Sequence, residues 1–257
     1  MSRSVILETR GLSKAFGGLV ALDKVDLSID TTKITAIIGP NGAGKTTLFN
    51  LITGVYPASS GEIYFQGSLL NNVPAHKRAS LGIVRTFQHV HLFGNMTVLE
   101  NVMSGQHPRS SYGFLEAALS LPKARREEEA ISLNAIKYLN LVGLGTYAEH
   151  DALSLPLGQQ KLLAIARALA TEPRLILLDE PGAGLNTLEK RQLSDLIRSI
   201  KEMEITVLLV EHDMPLVMGI AEWVIVLDSG QKIAEGTAAQ IQKNPKVIAA
   251  YLGEEVE

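Results

Sequence analysis

Ile34-Thr35-Ala36-Ile37-Ile38-Gly39-Pro40-Asn41-Gly42-Ala43-Gly44-Lys45-Thr46-Thr47-Leu48-Phe49-Asn50-Leu51-Ile52 is the stretch whose pattern decides the fold. Ile34 to Ile38 has the length and apolarity of a buried strand, and Thr47 to Ile52 suits a helix. Between them lies the spacing G-x-x-x-x-G-K-[ST], in the strand-loop-helix context that gives this motif its meaning. Glycines allow the backbone to curl until successive N–H groups point inward at phosphate oxygens, and the helix N-terminus adds the positive end of its dipole. Lys45 reaches the β and γ phosphates, and the Thr46 hydroxyl is a ligand for Mg²⁺. The expectation is nucleoside triphosphate binding by Gly39, Pro40, Asn41, Gly42, Ala43, Gly44, Lys45, Thr46 and Thr47.

Working outward, Leu175 to Leu178, Ile205 to Val210 and Val224 to Leu227 are continuous apolar runs, as strands buried on both faces of a mostly parallel sheet require. The first of them delivers Asp179 and Glu180 at its C-terminal end, where ligands sit in open α/β sheets. An acidic pair at a strand end is commonly a turn or a helix cap. Beside a phosphate loop it acquires chemistry: Asp179 holds Mg²⁺ through water, and Glu180 orients or deprotonates the water that attacks the γ-phosphate. Leu193, Leu196, Ile197 and Ile200 form a helical stripe, begun by Asn186 with Glu189 in a capping box. Leu162, Ile165, Ala166 and Leu169 repeat the stripe, as do Ile131, Ala135, Leu139 and Val142 after the solvated charges Arg125 to Glu129.

Toward the N-terminus, Val5 to Thr9, Val25 to Ile29 and Glu62 to Phe65 are β-type runs, whereas residues 90 to 155 carry helical patterns and loop signals. The order predicts an α/β protein with an inserted helical part.

Composition narrows the function classes. The chain has 257 residues, 24 basic and 27 acidic side chains, a net charge of −3 and no cysteine. So balanced a charge lacks the basic footprint of a nucleic-acid binder. Without cysteine there is no disulfide, no thiolate nucleophile and no cysteine-ligated metal. The N-terminus shows no secretory signal, which predicts a protein that stays inside, and no apolar run approaches the ~18 residues of a membrane span. His89 and His91 form a His-x-His pair that reads as a loop contact, and Tyr112 to Leu121 reads as a surface excursion.

Taken in order, the motifs resemble those of the ATP-binding-cassette (ABC) ATPases across nearly the whole chain. Phe16, in Ala15-Phe16-Gly17-Gly18, matches the aromatic that stacks on adenine. Gln88, in Arg85-Thr86-Phe87-Gln88, matches the glutamine that touches Mg²⁺ and senses the membrane partner. His212, in Val210-Glu211-His212-Asp213, matches the histidine that contacts the γ-phosphate. Leu155-Pro156-Leu157-Gly158-Gln159-Gln160 is similar to the family signature Leu-Ser-Gly-Gly-Gln, which addresses ATP held by the opposing subunit. It departs from that pattern with Pro156 at the serine and Leu157 at the first glycine. One side-chain donor is lost, while the helix N-terminus and the Gly158 N–H remain available. Asn186 stands where many cassettes have aspartate.

These departures, with Gly82 to Gln88, Met96-Thr97-Val98-Leu99-Glu100-Asn101, Asp179 to Asn186 and the ending Tyr251-Leu252-Gly253-Glu254, resemble the ATP-binding subunits of branched-chain amino acid importers. The resemblance implies a P-loop NTPase cassette spanning residues 5–253. Its parallel-sheet core comprises 5–88 and 161–253, with an N-terminal antiparallel β part and an inserted α-helical subdomain at about 89–160. It also implies ATP and Mg²⁺ as ligands and head-to-tail pairing with a second, identical or related cassette. Permease subunits in the membrane and, indirectly, a solute-binding protein complete the implied assembly, at the cytoplasmic face. Glu180, His212 and Gln88 are then the catalytic set, Thr46, Gln88 and Asp179 the metal set, and Leu155 to Gln159 face the partner's ATP. Other cargoes, urea or amides inward or lipid outward, share these motifs. A soluble ABC protein of repair type normally divides its cassette with a long coiled coil, and no sustained heptads occur here. A P-loop kinase or GTPase leaves Gln159-Gln160 and His212 unexplained.

Overall fold

The computed structural model describes residues 4–88, 90–106 and 122–252. His89, the loop signals at 107–113, Tyr112 to Leu121, Gly253 and Glu254 lie outside them. In chain order the elements are β1 (Val5–Phe16), β2 (Leu19–Asp30), β3 (Ile34–Ile38), α1 (Lys45–Thr53), β4 (Ser60–Phe65), β5 (Ser68–Leu69), α2 (Ala75–Ser80), β6 (Ile83–Thr86), α3 (Val98–Ser104), α4 (Pro122–Leu141), α5 (Leu157–Leu169), β7 (Leu175–Asp179), α6 (Thr187–Glu202), β8 (Thr206–Val210), α7 (Met214–Ile220), β9 (Trp223–Asp228), β10 (Gln231–Gly236), α8 (Ala238–Ile241) and α9 (Pro245–Leu252). They fall into two compact units, cut between Arg85 and Thr86 and again between Pro173 and Arg174.

The unit that begins and ends the chain holds two sheets. One has the order β10-β9-β3-β8-β7-β6. Within it β3 lies parallel to β8 and β9, and β7 parallel to β8. Every residue of β3, β7 and β8 is buried, which is why their sequences run apolar without alternation. Parallel alignment has a consequence for chemistry. Ile37 and Asp179 both pair with Val210, so the segments that follow β3, β7 and β8 emerge side by side. Two strands of this sheet escape the apolar-run criterion. β6 is four residues long and carries Arg85, and β10, antiparallel to β9, is largely polar.

The other sheet is antiparallel, ordered β2-β1-β4-β5, and the turn that joins β1 to β2 places Gly17 at φ 59°. Leu7, Leu12, Leu22 and Ile29 of this sheet share one apolar cluster with Leu48, Phe49, Leu51 and Ile52 of α1 and with Leu177, Leu208 and Ile225 of the parallel sheet. Those four α1 side chains are fully buried, each contributing about 1.5–3 kcal/mol of hydrophobic stabilisation. The helix that starts at the phosphate loop is therefore anchored along its length.

Its far end is tied by a buried guanidinium. Arg78 Nη1 donates to the carbonyls of Leu51 and Ile52 at 2.6 and 2.9 Å, Nη2 to Leu70 O at 2.6 Å, and Nε to Val73 O at 2.8 Å. A cation at a helix C-terminus satisfies orphan carbonyls and complements the dipole. Burial pushes the Arg78 pKa below its ordinary value. Arg78→Met is expected to cost about 3 kcal/mol, because it strands several buried acceptors. Thermal denaturation should show a fall in Tm of roughly 6–12 °C for a chain of this size. An unchanged Tm would show that the four carbonyls find other partners.

The second unit contains α3, α4 and α5. Thr97 and Glu100 close a capping box at α3, and the buried Asn101 carboxamide accepts from Phe93 N–H and donates to Phe93 and Thr97 carbonyls. Ala135 and Leu139 of α4 and Val142 just after it are buried as their spacing predicts, and Ile131 is half-buried. On α5 the stripe is shifted by one position: Leu163 is fully buried and Leu162 only half-buried, with Ile165, Ala166 and Leu169 inside as expected. On α6, in the first unit, Leu193, Leu196, Ile197 and Ile200 are all buried, and the Asn186–Glu189 capping box is present.

Candidate active site

The phosphate loop is built by backbone conformations that few residues other than glycine adopt. Gly44 has φ 97°, and a Cβ there would stand 2.6 Å from Ala21 O. Gly39 has φ 149°, and its Cβ would lie 2.0 Å from Leu227 O. The loop thus closes against β2 and β9 only because both positions lack a side chain. Gly44 is also the N-cap of α1 and supplies no side-chain acceptor, so the first-turn N–H groups are left for an anion. Lys45 is buried, with Nζ donating to the carbonyls of Gly39 and Pro40 at 2.6 and 2.7 Å. Asn41, Gly42 and Thr46 are exposed around it.

Asp179 closes β7 and is buried. Its Oδ2 accepts from Arg85 Nη2 at 2.5 Å, and Arg85 Nη1 donates to Asn50 Oδ1 of α1 at 2.6 Å. The guanidinium also lies 5.5 Å from the Phe49 ring centroid. Glu180 follows in the left-handed region at φ 47°, its N–H held by Val210 O at 2.9 Å. Its Oε2 is 3.8 Å from His212 Nδ1, and that imidazole is largely exposed.

Two further acids shape the turn after β8. Glu211 is fully buried; burial pushes its carboxyl above the usual carboxylate range, against the pull of the Gly182, Asp213 and His212 N–H groups. Asp213 caps α7 through Leu216 N–H and pairs with Lys190, whose ammonium holds its carboxyl below the ordinary value. Phe16 is 41% exposed at the end of β1, edge-on to Tyr56 at 5.3 Å with Lys14 Nζ 4.9 Å above its ring.

The first unit thus brings Gly39 to Thr47, Asp179, Glu180 and His212 to one edge of the parallel sheet, at the C-terminal ends of adjacent strands. Gln88 is exposed and belongs to the second unit, as do Leu155 to Gln159. There Pro156 is the N-cap of α5, with no side-chain cap, and Leu157 is exposed. Arg85, Glu211 and Lys190 were not singled out by sequence reasoning. The signal available for Glu211 is a charged residue directly after a buried apolar strand, which requires a specific partner. Among the described residues no group of three or more His, Asp or Glu is placed to hold a metal, and no helix is long and apolar enough to cross a membrane.

A nucleotide loop at the mouth of a parallel sheet, an acidic pair at the end of β7 two strands along and a separate helical unit whose α5 begins with the signature together define an ATP-binding cassette. Residues 22–183 match the family model described as ABC transporter, and the chain belongs to that family. Residues 231–257 match the model described as branched-chain amino acid ATP-binding cassette transporter. The chain is 46% identical over 255 residues to the high-affinity branched-chain amino acid transport ATP-binding protein BraF of Pseudomonas aeruginosa, covering 99% of this chain and all of that one. Among solved structures it resembles the ADP conformation of the cassette MJ1267, with TM-score 0.84, 35% identity and coverage of 97% and 99%. It also resembles the dimeric post-hydrolysis state of MJ0796 bound to ADP and Pi, with TM-score 0.78, 26% identity and coverage of 91% and 99%. The fold is that of a P-loop NTPase cassette, and the chain is an ATPase of the ABC transporter class.

Proposed function

We propose that this chain hydrolyses ATP to drive an importer of branched-chain amino acids, from the cytoplasmic face of the membrane. The observation that carries the cargo assignment is the likeness to BraF, which spans both chains almost completely. The match of residues 231–257 to the branched-chain model supports it independently of the general cassette motifs. MJ0796, a dimer in its ADP-and-Pi state, supports pairing of this chain with a second cassette.

In this reading the triphosphate lies on the N–H groups of residues 42 to 47, and Lys45 Nζ exchanges two neutral carbonyls for anionic oxygens of the β and γ phosphates. Phe16 takes the adenine on its exposed ring. The Thr46 hydroxyl, the Asp179 carboxylate and the Gln88 carboxamide each offer an oxygen donor of the kind Mg²⁺ prefers. Mg²⁺, when bound with nucleotide, neutralises charge on the β and γ phosphates. Glu180 accepts a hydrogen bond from the attacking water and orients it, and His212 donates to the γ-phosphate. Leu155 to Gln159 present the α5 N-terminus to ATP held by the opposing cassette. Hydrolysis then releases the closed pair, and Gln88 relays the change to the permease.

Reconstitution tests the cargo. Proteoliposomes holding this cassette with its permeases and binding protein should take up radiolabelled leucine in an ATP-dependent manner. Uptake of urea or amides in its place, or ATP-driven lipid export, would overturn the assignment.

The signature departure has a separate test. Pro156→Ser supplies α5 with a side-chain cap and a donor toward the partner's γ-phosphate. A hydrogen bond to an anionic phosphate oxygen is worth about 1.5–3 kcal/mol, so ATP-driven dimerisation should tighten by about tenfold or more. If light scattering shows no change in dimerisation and the ATPase rate is also unaltered, the proline does not tune the site.

A further inference from the structure

Glu211 is a fully buried carboxylate that the mechanism above does not use. It stands directly after β8 and directly before His212. Its Oε1 accepts the Gly182 N–H at 2.5 Å. Its Oε2 accepts the N–H groups of His212 at 3.2 Å and Asp213 at 3.4 Å. Gly182 lies two residues after Glu180, in a turn closed by Ala183 N–H to Glu180 O at 3.2 Å. One side chain therefore clasps the backbone behind Glu180 on one oxygen and the backbone that carries His212 on the other.

The approach is close enough to dictate the residue it meets. A Cβ on Gly182 would stand 2.8 Å from Glu211 Oε1 and 2.9 Å from Leu216 Cδ2. Burying a carboxylate is costly, and an apolar side chain at position 211 would avoid that cost. It would also leave three N–H groups without this acceptor. A glutamine would keep one acceptor oxygen and turn an NH₂ toward the N–H donors on the other side. The site thus calls for two acceptor oxygens on one rigid, buried stem.

We infer that Glu211 is a positioning residue for ATP hydrolysis: its carboxylate sets the separation between the Glu180 carboxylate and the His212 imidazole, 3.8 Å apart here, by fixing the two turns that carry them. The inference rests on the roles given to Glu180 and His212 under the proposed function. It predicts that disturbing Glu211 slows the chemical step and leaves nucleotide binding, which the loop at 39 to 47 provides, in place.

The test uses the full chain, measuring steady-state hydrolysis at saturating ATP alongside affinity for a fluorescent ATP analogue. Glu211→Gln should lower kcat by about tenfold, the scale of a small misplacement of reacting groups, with analogue affinity within about twofold of the wild type. Gly182→Ala attacks the same contact from the other side with the carboxylate intact. It should reproduce the split between kcat and affinity, and it keeps the inference testable if Glu211→Gln fails to fold. Added to Glu180→Gln and followed with radiolabelled ATP, Glu211→Gln should slow hydrolysis by clearly less than the tenfold it costs alone, because one of the two groups it positions is already disabled. Wild-type kcat in both Glu211→Gln and Gly182→Ala, parallel loss of affinity and rate, or a full additional tenfold loss on the Glu180→Gln background overturns the inference. Those outcomes leave the ATPase assignment standing when Glu180→Gln alone is slow. A Glu180→Gln variant with full activity overturns both.

Discussion

Glu180→Gln is expected to lower the rate of ATP hydrolysis by about a hundredfold or more, while ATP still binds and still draws two cassettes together. The side chain keeps its length and can still accept a hydrogen bond from water, but it loses the negative charge and the capacity to take a proton. The surroundings show why the loss falls on the chemical step alone. The backbone of Glu180 is pinned by its N–H to Val210 O, and its left-handed φ of 47° lies at the turn into Pro181. The loop that receives the triphosphate, residues 39 to 47, is a separate segment of the chain. Size-exclusion chromatography with ATP should therefore show a persistent dimer, against a transient one for the wild type. Undiminished phosphate release would remove Glu180 from its assigned role, and a variant that binds no ATP would place it in the binding machinery.

How much of this site was legible in the sequence depends on the range over which each contact is made. The strand at Ile34 to Ile38, the loop and α1 are consecutive, and each declares itself by residue type. The apolar runs at β7, β8 and β9 gave the buried parallel strands, and the Asn186–Glu189 capping box is closed within four residues. What remained hidden is long-range or polar. Arg85 meets Asp179 across 94 positions of sequence and Arg78 meets Leu51 across 27, and no periodicity encodes such pairings. β10 escaped because Gln231, Lys232 and Glu235 mask its pattern as an edge strand, and edge strands tolerate charge. The one-residue shift on α5 has a related origin. Leu162 and Leu163 both suit a helix face, and only packing within the second unit selects Leu163 for its core. Glu211 was visible as a residue but silent as a function, since its meaning lies in the three backbone groups around it.

Lys45→Ala is expected to produce the opposite phenotype to Glu180→Gln: nucleotide binding is lost, and hydrolysis falls because the complex no longer forms. The ammonium has no exposed surface of consequence and makes hydrogen bonds to Gly39 O and Pro40 O, inside the curve that the triphosphate would occupy. It is a positive charge held where phosphate oxygens arrive. Charge-assisted hydrogen bonds contribute about 1.5–3 kcal/mol each, so loss of contacts to two phosphates amounts to roughly 3–6 kcal/mol, or at least a hundredfold in Kd. The fold should survive, because α1 is held by Leu48, Phe49, Leu51 and Ile52 and by Arg78 at its far end, none of which involves the lysine. Calorimetric titration with ATP checks the affinity, and circular dichroism checks that the chain is intact. Unaltered affinity in a folded Lys45→Ala chain would mean that the loop amides alone hold the triphosphate. The two variants separate the halves of the site: one keeps the ligand and loses the reaction, the other loses the ligand, and only the strand order that places Lys45 and Glu180 on one sheet edge makes both phenotypes necessary.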